Sequence, residues 1–278
     1  MRRRWILVIS ILILGAIISV ALLLLRDRSG EMMMRAQELR DAGRAEEAAE
    51  LFGQVALMAP GSPLAPEARF EEGFTYYVVK APQEPAERRY VLRAMAEEAF
   101  RRLIEDYPEC EYVQRARLFL GEIYSTTGDY ERALEQYEAA IGGIADLESR
   151  QQVCLIMAQC YERSGQVGLA IERLRDIINL DRPGRYFEAA HLVLARYYYV
   201  GGHHERAVEQ LRELLDSEVT FSSRQEAYVR LVEILVELER FDEANAALAE
   251  LEVTPSNRAL VEDLRDRISR RSLGYDGD

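Results

Sequence analysis

The sequence predicts an all-α protein with a single N-terminal transmembrane helix, followed by an α-solenoid of helix hairpins and a C-terminal capping helix. Three observations indicate this fold. A glycine, an aromatic residue two places on and an alanine three beyond it recur with a period of 37 residues. Between successive copies, apolar residues recur at helical spacing. Before the first copy lies an uncharged run of twenty residues.

The uncharged run extends from Ile6 to Leu25 and ends abruptly at Arg26. As a helix it is about 30 Å long, which matches the hydrocarbon thickness of a bilayer. A cleavable signal peptide is the main alternative, but its apolar region is usually about 7–15 residues and precedes a small-residue cleavage site. We therefore expect residues 1–28 to form an uncleaved anchor that contacts the lipid bilayer through residues 6–25.

The flanking charges predict how this anchor is oriented. Arg2, Arg3 and Arg4 precede the run, whereas Arg26 and Arg28 follow it. Because basic residues are retained on the cytoplasmic side, the bias favours a cytoplasmic N-terminus and places the rest of the chain outside the cytoplasm.

The balance of charge favours protein partners over nucleic acid. The formal net charge of the chain is −13. A surface this acidic repels phosphate backbones, so we expect no nucleic-acid partner and a preference for protein or peptide surfaces.

The repeat is clearest at Gly128, Tyr130 and Ala133. Alanines at 133, 170, 207 and 244 succeed one another at intervals of 37. Three further columns keep this step: Tyr124, Tyr161, Tyr198 and Leu235; Gly121, Ala158, Ala195 and Val232; and Tyr137, Leu174, Leu211 and Leu248. We expect the glycine of the motif to end each first helix with positive φ. The column of small residues lets the two antiparallel helices of a hairpin approach closely.

The domain organisation follows from this register. Residues 29–273 are predicted to form the solenoid, and 274–278 a tail. The second hairpin departs from the period, because Ala48 and Ala96 are 48 residues apart, an excess of 11 over 37. This insertion, at about 78–93, predicts a protruding loop and a lengthened second helix. Residues 257–273 have apolar helical spacing and a charged opposite face, as expected of a capping helix.

These columns resemble the tetratricopeptide repeat (TPR), and Leu120, Gly121, Tyr124, Gly128, Tyr130, Ala133, Tyr137 and Ala140 carry the resemblance. Residues 96–137 are similar to TPR proteins of bacterial envelopes, where Tyr-Pro-x-Ser-x-Tyr joins two repeats; here Cys110 takes the serine position. The resemblance implies about six TPR-like hairpins that act as a protein–protein interaction scaffold in secretion, folding or envelope assembly. It also implies a single-pass protein of the bacterial inner membrane with a periplasmic or extracytoplasmic solenoid.

No residue cluster predicts catalytic chemistry. His191, His203 and His204 match no zinc-ligand spacing and are expected to pack or to lie in a solvated turn. Cys154 and Cys160 point about 240° apart on one helix, so they cannot bridge and are expected to be buried. We predict no catalytic, metal or cofactor-binding residues, no cofactor and no enzymatic activity.

A partner-binding groove is predicted on the first helices of the hairpins. Three consecutive tyrosines, Tyr197 to Tyr199, cannot all face the core, and Tyr199 is expected to point toward the concave surface. The same phasing predicts a groove lined by Leu118, Glu122, Leu155, Gln159, Leu192, Arg196, Tyr199, Val229 and Glu233. This mixture suits an extended or helical peptide better than a small molecule.

Two other functions stay open on the sequence alone. One is a cytoplasm-facing TPR adaptor, although Lys80, as the only lysine, disfavours the lysine-based capture of chaperone tails. The other is a non-catalytic subunit of a larger envelope enzyme complex. The partner, the oligomeric state and the role of Cys110 are also left open.

Overall fold

The computed structural model describes residues 14, 28–79, 85–179 and 184–274. Within these residues the regular elements are α-helices and there is no strand, so the predicted all-α class is confirmed. Apart from Leu14, the predicted anchor at 6–25 lies outside the described residues. Over the part that is described, none of the helices combines the length and apolar character needed to cross a membrane.

Thirteen helices lie in the described residues, and they form six hairpins followed by one further helix. The first three hairpins are α1 (28–41) with α2 (Ala45–Met58), α3 (Leu64–Val78) with α4 (Ala86–Asp106), and α5 (Val113–Thr127) with α6 (Tyr130–Ile141). The next three are α7 (Leu147–Arg163) with α8 (Val167–Asn179), α9 (Arg185–Val200) with α10 (His204–Leu215), and α11 (Phe221–Glu237) with α12 (Phe241–Ala249). The last helix is α13 (Arg258–Ser272).

The chain divides into two compact units, Met1–Gly143 and Ile144–Asp278. In the first unit, apolar residues of α1 and α2 form one cluster that also includes Ala68 of α3. Its largest member, Phe52, is fully buried. Since neither helix of a hairpin can bury its apolar face alone, each hairpin packs on its neighbour in the unit.

An aromatic cluster around Phe119 of α5 joins the second and third hairpins. The Phe119 ring stacks on Phe100 of α4 at a centroid distance of 5.4 Å. It also contacts Phe74 and Tyr77 of α3 at 5.4 and 4.9 Å. Such offset and tilted ring contacts add stability beyond the apolar area that they bury.

Within a hairpin, a small residue on the first helix faces a large ring on the second. A Cβ added to Gly121 of α5 would lie 2.6 Å from the Tyr137 ring of α6. A Cβ added to Gly73 of α3 would lie 2.8 Å from the Phe100 ring of α4. The members of these pairs are 16 and 27 residues apart, and the difference of 11 equals the inserted length. The insertion therefore leaves the packing of the hairpin unchanged.

The inserted residues lie mostly on α4. At 21 residues α4 is longer than α7 and α11, which have 17 each. Its added turns follow Pro85, and residues 80–84 of the connection are outside the described part. An ion pair between Arg88 and Glu46 joins the start of α4 to α2.

The turns inside the third to sixth hairpins share one backbone geometry. Gly128, Gly165 and Gly202 have φ of 86°, 78° and 75°, as expected for glycines that end a helix in the left-handed conformation. In each case the amide of the next residue donates to the carbonyl five positions before it, as Gln166 does to Tyr161 at 2.8 Å. In the sixth hairpin the same place is taken by Glu239, with φ of 59°.

In the second unit the residues of the same columns are buried. Ala158, Ala195 and Val232 are buried on the first helices, and Leu174 and Leu211 are fully buried on the second helices. The last helix, α13, buries Val261, Leu264 and Ile268, and packs on α11 and α12. Its opposite face is exposed and charged.

We predict that Glu239→Gly stabilises the protein. A side chain in the left-handed region costs roughly 1 kcal/mol, and glycine removes this cost without loss of a contact because Glu239 is exposed. Thermal unfolding followed by circular dichroism should show a rise in Tm of about 2–4 °C. The matched control is Gly202→Ala, which introduces the same cost and should lower Tm; a fall in Tm for Glu239→Gly would contradict the argument.

Candidate functional site

The residues of the predicted groove all lie on first helices of hairpins. Leu118 and Glu122 are on α5 of the first unit, where both are half-buried. The other seven belong to the second unit: Leu155 and Gln159 on α7, Leu192, Arg196 and Tyr199 on α9, and Val229 and Glu233 on α11. Of these seven, Gln159 and Arg196 are exposed and the rest are half-buried.

The three consecutive tyrosines of α9 point in three directions and contact three other helices. Tyr197 and Tyr198 are buried, and Tyr199 is half-buried. The Tyr197 hydroxyl donates to Glu162 of α7 at 2.7 Å, and the Tyr199 hydroxyl donates to Glu237 of α11 at 2.6 Å. The Tyr198 hydroxyl accepts from Arg175 of α8 at 2.6 Å. Successive residues are about 100° apart on a helix, so this triplet fixes α9 against its neighbours on both sides.

Arg196 is committed to an ion pair inside the second unit. Its guanidinium donates to both oxygens of Glu162, at 3.0 and 3.3 Å. Burial opposes ionisation of Glu162, but the hydrogen bonds from Arg196 and Tyr197 outweigh it and lower the pKa of the carboxyl. Replacing Arg196 would therefore disturb the contact between α7 and α9 as well as any ligand.

Tyr199 and Glu233 line a groove of about 420 Å³ between α9, α11 and α13. Val236 of α11 and Leu264 of α13 are its apolar members, and both are buried against the core. The Tyr199 ring stacks on His204 with centroids 5.2 Å apart, which holds the ring in place. The hydrogen bond to Glu237, together with burial, raises the pKa of the Tyr199 hydroxyl.

The two walls of this groove carry opposite charges. Glu233 and Glu237 stand on α11, and Arg267, Arg270 and Arg271 stand on α13. Arg267 pairs with Asp263 at 2.8 Å, whereas exposed Arg270 makes no ion pair with any residue that the structure describes. A basic wall in a chain of net charge −13 favours a ligand with an acidic group on that side.

The histidines and cysteines take structural positions in this unit. His191 is 1% exposed and contacts the Phe187 ring edge-on at 4.5 Å. Burial raises the pKa of the Cys160 thiol to about 11 and also raises that of Cys154. At neutral pH these thiols are therefore protonated and poor nucleophiles. Among the described residues no group of histidine, cysteine and carboxylate side chains could hold a metal ion.

The basic wall of the groove was not predicted from the sequence, which indicated only a capping helix with a charged face at residues 257–273. Leu264, Arg267 and Arg271 are spaced three and four residues apart, so they share one face of α13. That spacing could have indicated a surface in which arginines border an apolar residue. It could not have indicated that α11 supplies the opposite wall.

Comparison with known proteins agrees with the repeated helix hairpins. A tetratricopeptide repeat family model matches residues 33–78, 93–147 and 192–258, together more than half of the chain. The protein is thus a helix-hairpin repeat protein of this class. The chain belongs to the tetratricopeptide repeat family. A search of curated protein sequences gives no match.

Solved structures similar to this chain include MamA and PilF. A MamA crystal structure is 18% identical with a TM-score of 0.51, over 68% of this chain and 90% of that one. A MamA RS-1 double mutant is 16% identical with a TM-score of 0.50, over 68% and 94%. PilF of Pseudomonas aeruginosa is 14% identical with a TM-score of 0.49, over 87% and 98%. At these identities the similarity to MamA shows the fold alone.

We predict that acid destabilises the protein in part through His191. Burial lowers the pKa of its imidazole below the ordinary value of 6.5. The unfolded chain therefore binds a proton at a pH where the folded protein does not. This contribution to stability is present above pH 6.5 and is lost as the pH drops below it, by at most about 1.4 kcal/mol at pH 5.5.

The measurement is the urea unfolding midpoint of the full-length protein at pH 7.0 and pH 5.5. In His191→Phe the difference between the two midpoints should shrink, because the proton-binding group is gone. His203→Gln changes an exposed histidine and should leave the difference as it is. An unchanged difference in His191→Phe would show that other groups cause the acid sensitivity.

Proposed function

We propose that this protein is a membrane-anchored scaffold that holds protein partners in the bacterial cell envelope, where it serves secretion, folding or envelope assembly. Its partner is an extended or helical peptide segment, bound in the groove between α9, α11 and α13. The main support for this proposal is the shape and charge of that groove. It has a volume of about 420 Å³, a fixed aromatic residue on one side, apolar residues at its base and walls of opposite charge. Tetratricopeptide repeats bind proteins through such helix-lined surfaces, which agrees with this use.

The proposed anchor is residues 6–25, which form an uncharged run between two groups of arginines. Its length suits one crossing of a bilayer. The three arginines at positions 2–4 favour a cytoplasmic N-terminus, so that the repeats lie outside the cytoplasm. This arrangement keeps the repeats at the membrane surface, where proteins that leave or assemble in the membrane would meet them.

The groove favours a peptide that has an acidic residue and an apolar residue close together. The acidic residue would face Arg270 and Arg271 of α13, where a guanidinium can donate two hydrogen bonds to one carboxylate. The apolar residue would contact Val236 and Leu264. Tyr199 is an efficient anchor, because an aromatic side chain that is already fixed by Glu237 and His204 loses little entropy on binding.

The proposed role is binding without catalysis, and the chemistry of the groove supports it. Arginine stays protonated at physiological pH and cannot act as a general base. The Tyr199 hydroxyl already donates to Glu237, and its raised pKa makes it a weaker acid than free tyrosine. These groups are suited to hydrogen bonding and charge pairing with a ligand.

We predict that Arg270→Glu reduces partner capture about tenfold, since one charge-assisted hydrogen bond contributes about 1.5 kcal/mol or more. The measurement is crosslinking in intact cells, followed by mass spectrometry of proteins attached to the full chain. Arg265→Glu is the matched control, because Arg265 lies on the same helix and is exposed, yet does not line the groove.

Capture of envelope proteins that falls in Arg270→Glu and persists in Arg265→Glu supports both the groove and the orientation. Capture of cytosolic proteins would contradict the proposed orientation of the anchor. Equal capture by both variants would exclude this groove as the binding site. Circular dichroism of each variant verifies that the helices are retained.

A further inference from the structure

The added turns of α4 carry apolar side chains on the side away from the core. Tyr90 is 72% exposed, Val91 52% and Met95 41%. On the opposite side of the same turns, Leu92 and Ala96 are buried. A helix with apolar residues on two sides can bury only one of them against its own core. The other side is then an exposed apolar patch, and large patches of this kind mark interaction sites.

This outer face of α4 borders a groove of about 420 Å³ in the first unit. Arg69, Glu72 and Tyr76 of α3 line its other side. The Arg69 side chain is 4% exposed and pairs with Glu72 at 2.6 Å, while its Nε has no acceptor in the described residues. The exposed outer face thus stands beside a groove that has room for side chains from outside.

The charges on this face have a self-complementary order. Glu87 lies seven residues before Ala94, and Arg101 lies seven residues after it. Seven residues are close to two turns, so these three positions fall on one side of the helix. Ala94 is exposed and small, and it stands between the larger apolar residues Val91 and Met95.

We propose that the outer face of α4 is a contact between two copies of this chain, with the two α4 helices antiparallel and a two-fold axis at Ala94. The alanine methyl groups permit the helices to approach closely at the axis. Glu87 of each copy then faces Arg101 of the other, about 10 Å from the axis. Tyr90, four residues before the axis, faces Glu98, four residues after it. A two-fold contact of this kind uses one surface twice.

A second copy fits this face better than a membrane surface does. Helices that lie on anionic lipid carry an excess of lysine and arginine beside their apolar residues. Here the exposed charges include Glu87, Glu98 and Glu105 together with Arg101 and Arg102. The acidic members would be repelled by anionic headgroups, whereas a second α4 in antiparallel orientation pairs charges of both signs.

The expected dimer is weak and depends on concentration. A face of about two turns is smaller than the roughly 800 Å² per partner of a standard interface. If both copies are anchored by residues 6–25 in one bilayer, confinement raises their effective concentration. This rise in effective concentration depends on the proposed anchor, whereas the contact through α4 is independent of the anchor and of the peptide groove.

The test is a charge swap in the full-length protein, with mass measured by sedimentation velocity in detergent over a range of concentrations. Glu87→Arg and Arg101→Glu should each weaken the dimer about tenfold, because each variant places like charges opposite one another twice. The double variant Glu87→Arg/Arg101→Glu restores opposite charges and should dimerise as the wild type does. Glu135→Arg, an exposed change on α6, is the matched control and should have no effect.

Each alternative has its own outcome. A chain that is monomeric at every concentration would leave this face to lipid or to another protein, and would overturn the proposal. A dimer that neither single reversal weakens would place the contact elsewhere, such as between anchors, and would also overturn it. Failure of the double variant to recover would reject the antiparallel register at Ala94. None of these outcomes alters the expected effect of Arg270→Glu on peptide capture.

Discussion

The second and third hairpins depend on close contact between a small residue on the first helix and a large ring on the second. Gly121 against Tyr137 and Gly73 against Phe100 leave no space for a β-carbon. This contact sets the distance between the two helices of a hairpin, and hence the position of every residue that the hairpin presents to its neighbours. The insertion before Phe100 adds turns to α4 without moving this contact. The added turns therefore provide an additional exposed helix face, while the packing of the hairpin is retained.

The surfaces available for binding follow from this packing. In the second unit the first helices of neighbouring hairpins are in contact. Tyrosines on α9 fix that helix to α7, α8 and α11 through their hydroxyl groups. After the sixth hairpin, α13 covers the apolar end of the unit. Because its exposed face is rich in arginine and α11 is acidic, the groove between them combines both charges. The candidate site thus exists because α13 packs beside α11 after the last hairpin.

Periodicity in the sequence could predict the helices, the hairpins, the left-handed turns and the small-against-large columns, because each depends on residues at fixed spacing. It could also distinguish Tyr199, which lies outside the core, from the core residue Tyr198. It could not predict that Arg196 pairs with Glu162, or that Arg270 lines a groove, because surface pairs between helices depend on side-chain reach as well as on phase. The outer face of α4 was equally hidden, since an inserted segment has no counterpart in other repeats with which to compare it.

The most direct test of this account is a double-mutant cycle at Gly121 and Tyr137, measured by urea unfolding of the full-length protein. Gly121→Ala forces a β-carbon against the Tyr137 ring and should cost about 1–3 kcal/mol, whereas Tyr137→Leu removes the ring and leaves space. In the double variant the alanine occupies that space, so the combined cost should be at least about 1 kcal/mol below the sum of the single costs. Strictly additive costs would contradict the claim that this contact sets the spacing of the hairpin.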